Sequence, residues 1–290
     1  MPLATNTMRV GGAVAFWKLA PRTHRETVSQ HLKSWGYEKH IPSERGTKAL
    51  LKEAVSEVYP GMLVRPLRAT NSFEVIKEEI HDEENEYKHV AAFSVQGEQG
   101  DEGVTSPDLG NASSAVTQVQ EAFEHAKEDI TGPQVAALLT GLIEMEFKGL
   151  SLRPTGGLYW VPGDCLEEFR RIGKAIEDCA SKGETQVFSL ETKFDQNAVK
   201  AVLAGVNDEV QRELALIKDD LDTGTLGKRA LTKRIAHLRE LRAKTTQYET
   251  SCGESMEKLH EAIKQFEDHE SIAALLAGVD HTVTPPAPTI

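Results

Sequence analysis

The pattern that most constrains this chain lies between Asp195 and Ala277, where apolar residues recur every three or four positions with only two interruptions. At 3.6 residues per turn, such spacing collects them on one side of a helix. The first stretch, about Asn197–Leu221, carries Val199, Val202, Val206, Val210, Leu214 and Ile217, and Asp222-Thr223-Gly224 breaks it. The second, about Leu226–Tyr248, carries Leu231, Ile235, Leu238, Leu241, Thr245 and Tyr248, and stops at Cys252-Gly253. The third, Glu254–Ala277, carries Met256, Leu259, Ile263, Phe266, Ile272, Leu275 and Leu276. Short breaks between long helices make antiparallel neighbours the expected arrangement. The spacing therefore predicts a C-terminal antiparallel three-helix bundle, or a long helical hairpin, over 193–278. A tail at 279–290, with Pro285, Pro286 and Pro288, is expected to be disordered.

Charge points the same way. The second stretch holds Lys228, Arg229, Lys233, Arg234, Arg239, Arg242 and Lys244 against Glu240 alone, a net charge of +6. The segments Asp195–Asp222 and Glu254–Glu270 each come to −4. A basic helix between two acidic ones is what complementary packing produces. Exposed pairs contribute only about 0–1 kcal/mol each, so the pattern selects partners more than it stabilises.

Ahead of the helices the sequence reads as an α+β body, a small antiparallel sheet with packed helices. An N-terminal region at 8–96 begins with a buried strand, Val10–Leu19. A helix follows from Thr23, its expected cap with Glu26 as capping-box partner, through Trp35 to Gly36. A second helix spans about Ser43–Tyr59, and Met62–Leu67, Phe73–Ile80 and Tyr87–Val95 are strand-like. Residues 97–114, with Gly97, Gly100, Gly103 and Gly110 and little to bury, are expected to be a flexible loop. A second α+β region, 115–192, has helices at Ala115–Ala126 and Gln134–Phe147. The hairpin at 150–162 turns on Pro154-Thr155-Gly156-Gly157, and a helix over Asp164–Ala180 and a strand at Val187–Leu190 complete it.

Composition removes several classes of function. At a formal charge of −12 over 290 residues, general adhesion to nucleic acid or to an anionic membrane is disfavoured, although a local basic face is not. No apolar run approaches the roughly 20 residues that span a bilayer, so no membrane partner is expected. Cys165, Cys179 and Cys252, odd in number and widely spaced, fit free thiols in a reducing, cytoplasmic setting. No Walker A, G-x-S-x-G or H-E-x-x-H pattern occurs, and no cofactor is expected.

The most prominent candidate surface is the basic helix 226–244. Its cations could track phosphates in DNA or RNA, or they could simply pair with the flanking acidic helices. Helix Gln134–Phe147 followed by the hairpin, with Arg153 at the turn, has the order of a winged helix. That helix, however, offers Glu144 and Glu146 rather than base-reading side chains, which favours an ordinary packed hairpin. His81 and His89 flank an acidic turn without a fixed metal-ligand spacing, and solvation is the simpler account.

Phe16-Trp17-Lys18-Leu19, the run Arg153-Pro154-Thr155-Gly156-Gly157-Leu158-Tyr159-Trp160-Val161-Pro162, and the closing helices together resemble a family from phages, prophages and bacteria. That family is known only as a domain of unknown function. The resemblance implies a mobile-element or bacterial origin and carries over no activity. Two functions are therefore expected in competition. One is a non-enzymatic interaction or assembly protein that binds itself or another protein through its long helices. The other is a nucleic-acid-binding protein using Lys228, Arg229, Lys233, Arg234, Arg239, Arg242 and Lys244, with Arg153.

Overall fold

The computed structural model describes residues 10–69, 71–80, 85–97, 102–110, 113–153, 156–193, 195–222, 228–253 and 255–268. The chain opens with strand β1 (Val10–Lys18) and the short β2 (Arg22–His24), then helices α1 (Arg25–Ser34) and α2 (Thr47–Val58). Strands β3 (Leu63–Pro66), β4 (Ser72–Ile80), β5 (Asn85–Gln96) and β6 (Gly103–Thr105) lead to α3 (Ser114–Glu128). Next come β7 (Asp129–Thr131), α4 (Gly132–Gly141), a π-helical turn at Leu142–Glu146, β8 (Leu150–Ser151) and β9 (Tyr159–Pro162). Helix α5 (Leu166–Asp178), β10 (Ala180–Lys182) and β11 (Gln186–Lys193) precede α6 (Gln196–Asp222), α7 (Lys228–Cys252) and α8 (Glu257–Glu267). The class is α+β, with three small antiparallel sheets among the described residues.

These elements form two compact units interleaved along the sequence, whereas the segments expected from the sequence are continuous. One unit takes residues 18–140 and 173–186. Its larger sheet has the order β3-β4-β5-β6. Phe73 pairs with Phe93 and Val75 with Ala91, and Val90 bulges out before Ile76 meets His89. Next to the bulge, Ala91, Ala92 and Phe93 are all buried. Leu51, Ala54 and Val55 of α2 and Val119, Phe123 and Ala126 of α3 complete that core.

A second sheet in this unit, β10-β2-β7, gives Thr23 a role that local pattern did not reveal. Thr23 pairs with Ile130 and Ala180 and is fully buried, while His24 stands at the start of α1 with no side-chain cap. Pairing on both sides of a strand outweighs the roughly 1 kcal/mol that a cap supplies. Part of the segment 97–114, expected to be a loop, has regular structure. Within it β6 pairs with β5, and Ser113 caps α3 by accepting from the Ala115 amide at 3.3 Å.

The other unit takes residues 1–17, 141–172 and 187–290. Its sheet has the order β11-β1-β9-β8. Gly156 and Gly157, at φ of 71° and 84°, supply the left-handed backbone that the hairpin between β8 and β9 requires. Val14 lies opposite Trp160, and Trp160 shares one buried cluster with Val202, Val206, Val210, Leu214 and Ile217 of α6, with Val14 packed against it. Ile235, Leu238, Leu241 and Tyr248 of α7 and Leu259 and Ile263 of α8 belong to the same cluster. Residue pairs run in opposite directions across both helix contacts: Glu209 with Lys244 and Glu213 with His237, then Glu249 with His260 and Glu267 with Arg242. The core also contains Leu150 and Trp160 of the hairpin, so these helices share an interior with the sheet. α8 ends at Glu267, and the expected helical residues beyond it, with the tail, lie outside the described residues.

Candidate functional site

The seven cations read as a basic face have separate fates in the fold. Lys244 is buried, and its ammonium donates to both carboxylate oxygens of Glu209 at 2.7 Å and to the Gly149 carbonyl at 2.8 Å. Tyr248, one turn further, donates its hydroxyl to the Lys148 carbonyl at 2.7 Å, and burial pushes that phenol upward. Glu144 stands near, its carboxyl raised first by burial and then by the charge of Glu209. This seam fastens α6 and α7 to the backbone just before β8. Arg242 reaches Glu267 on α8 at 2.7 Å.

The remaining cations are less committed to the interior. Lys233 and Arg239 are exposed, and Arg234 is partly exposed and engaged. Arg239 lies six positions beyond Lys233, which places them about 120° apart around the helix, so they form no single stripe. Lys228 and Arg229 begin α7, but their side chains lie outside the described ones. Arg153 is exposed beside β8, and its carbonyl accepts from the Gly156 amide at 2.9 Å.

A model of a family of unknown function, DUF6744, matches residues 25–277. The chain belongs to this family. No curated protein matches it, and no solved structure does. In this DUF6744 chain the hairpin that carried the resemblance lies inside the matched residues, whereas β1 lies ahead of them.

The DUF6744 chain has one apolar surface that its sequence did not mark. β11 stands at the end of its sheet, and Phe188 and Leu190, on alternate positions and hence one face, are 38% and 57% exposed. The Phe188 ring stacks on Phe16 of β1 with centroids 4.9 Å apart. The opposite face of β11 is tied down: Arg170 of α5 donates to Ser189 at 3.0 Å and to Glu191 at 2.7 Å. The sequence reads Val187–Leu190 as a strand, but no pattern in one chain tells which face another element covers.

Other groups are quieter. Burial, aided by Asp164, pushes the Cys165 thiol up to about 11, away from the thiolate a nucleophile needs. Burial also raises Cys179. His89 lies between Asp108 at 3.1 Å and Glu74 at 3.4 Å, and those bonds raise its pKa. His81 and the acidic turn next to it lie outside the described residues. Among the described residues no group of three or more His, Cys, Asp or Glu is placed to hold a metal, and no helix is long and apolar enough to cross a membrane.

Proposed function

We propose that this is a non-enzymatic interaction or assembly protein whose contact surface is the outer edge of β11. The carrying observation is the pair Phe188 and Leu190, exposed on an end strand beside Phe16. A single exposed apolar residue is ordinary. Two on one face of an edge strand form the kind of template that chains normally protect with charge or a bulge. The long helices, read as a three-helix bundle, are the scaffold in this reading. Their apolar sides are already occupied by the chain's own core, so self-association through them would have little to bury.

The partner is a protein, and a second copy satisfies the geometry. Antiparallel pairing about Ser189 sets Phe188 opposite Leu190 of the other copy, a cross-strand apolar pair. Light scattering during size exclusion is the test: association should rise with concentration and be lost in Leu190→Lys without a change in melting temperature. A chain that stays monomeric at high concentration and captures no partner in a pull-down speaks against the reading. A cytoplasmic location and a phage or mobile-element origin accompany this proposal as its biological setting.

Nucleic-acid binding is the second reading, supported by exposed Lys233 and Arg239 and weakened because Arg242 and Lys244 are spent on carboxylates. It requires binding that falls steeply with salt and that is lost in Lys233→Glu with Arg239→Glu. No binding at low salt removes it.

A further inference from the structure

In the unit built on β3–β6, one histidine joins three pieces of chain. β5 pairs with β6 only over residues 94–96. Beyond them the edge of β5 is met by the turn at 107–109, where the Ala92 amide donates to a carboxylate oxygen of Asp108 at 2.6 Å. The same oxygen lies 3.1 Å from Nε2 of His89, and Nδ1 of that ring lies 3.4 Å from Glu74 on β4.

Both ring nitrogens therefore face a carboxylate oxygen. A neutral imidazole carries one N–H, so it can donate to one of them and must turn a lone pair toward the other. Only the imidazolium donates at both ends, with its charge set between two opposite ones. The bonds to Asp108 and then to Glu74 accordingly raise the pKa of His89. The side chain is 48% exposed, so solvent protons reach the ring without any opening of the fold.

The other charged groups around it are engaged elsewhere. Lys77 and Lys88, on the opposite face of the β4–β5 ribbon, both bond to Glu79. Glu78, on the same face as His89, accepts from Asn85 and Tyr87. Arg65, across the ladder from Glu74 on β3, lies over the Tyr87 ring. Ile76, the ladder partner of His89, carries no charge.

We infer that His89 is a pH-operated clasp: protonated, it ties the turn at 107–109 to β4 and β5, and deprotonated, it lets that turn lift from the Ala92 amide. A histidine raised in the folded state holds fully below its ordinary value, and its hold fades as pH rises through the folded one. The clasp also needs both carboxylates ionised, so it works above the ordinary carboxylate range. What it governs is a strand edge, the part of a sheet most open to pairing with another chain. β11 takes no part in it.

Nuclear magnetic resonance of the full chain tests this, through titration of the His89 ring and hydrogen exchange at the Ala92 amide, corrected for the intrinsic rate. His89 should titrate above the ordinary 6.5. Protection of Ala92 should fall about two- to fivefold between about pH 5.5 and about pH 8.5, the scale of an exposed charge pair. His89→Gln, which cannot be charged, should abolish that fall. Asp108→Asn keeps an acceptor for the Ala92 amide but not the charge, so it should lower the His89 titration and flatten the fall as well. Circular dichroism checks folding, and the second variant keeps the test open if the first misfolds. Titration of His89 at or below the ordinary value overturns the inference. So does protection of Ala92 that is level across the range, or a fall that persists in His89→Gln.

Discussion

Lys244 illustrates how one side chain can be misjudged from its charge alone. In the sequence it is the last of seven cations on a basic helix; in the fold its ammonium is enclosed by Glu209 and a backbone carbonyl. Removing one member of a buried pair leaves the other charge uncompensated. Lys244→Met should therefore cost about 3 kcal/mol in urea unfolding, and adding Glu209→Gln should restore most of it. Glu144 gives a pH-dependent counterpart. Its folded-state pKa is raised by burial and by Glu209, so its charged form weighs against folding. That penalty is absent below the unfolded value and grows as pH rises through the folded one. Glu144→Gln should accordingly be more stable than the parent at neutral pH, and the gap in midpoint should close in denaturation at acidic pH.

At the scale of elements, what was legible was whatever repeats locally. The period of α6 and α7, the glycines of the β8–β9 hairpin and the alternation in β4 and β5 all leave a signature within a dozen residues. β2, β7 and β10 do not. Each has three residues, too few to alternate, and each exists only because distant segments meet. β6 was hidden for a related reason: its glycine-rich surroundings bury little by themselves, and pairing with β5 supplies its order. The sequence puts seven cations on α7 without revealing which pair with neighbouring helices, since that depends on where α6 and α8 place Glu209 and Glu267. One capping element is testable by itself. Ser113→Ala removes the cap of α3 and should lower stability by about 1 kcal/mol in chemical denaturation.

For the molecule as a whole, the important fact is that neither compact unit is a continuous segment. The sequence encouraged a cut near residue 193, with the long helices as a free-standing piece. Yet Leu150 and Trp160 lie in the same interior as Val206, Leu238 and Ile263. A fragment of residues 193–290 should then show helical circular dichroism but bind hydrophobic dyes and give poorly dispersed amide resonances, because two large side chains are missing from its core. A fragment with the sharp thermal transition of a native domain would show that the helices need no sheet.

Connectivity of this kind also bears on how the protein is made. β1 leaves the ribosome long before its neighbour in the sheet, and Gly12 must wait for Pro162, 150 positions later, before the two can pair. Throughout that interval Val14, Phe16 and Trp17 travel on a nascent chain with nowhere to bury, while residues 18–140 of the other unit have already emerged. Long-range pairing of this sort folds slowly and leaves sticky intermediates exposed. Synthesis should therefore lean on chaperones that shield the N-terminal strand, and slowing translation after residue 18 should raise the fraction lost to aggregation.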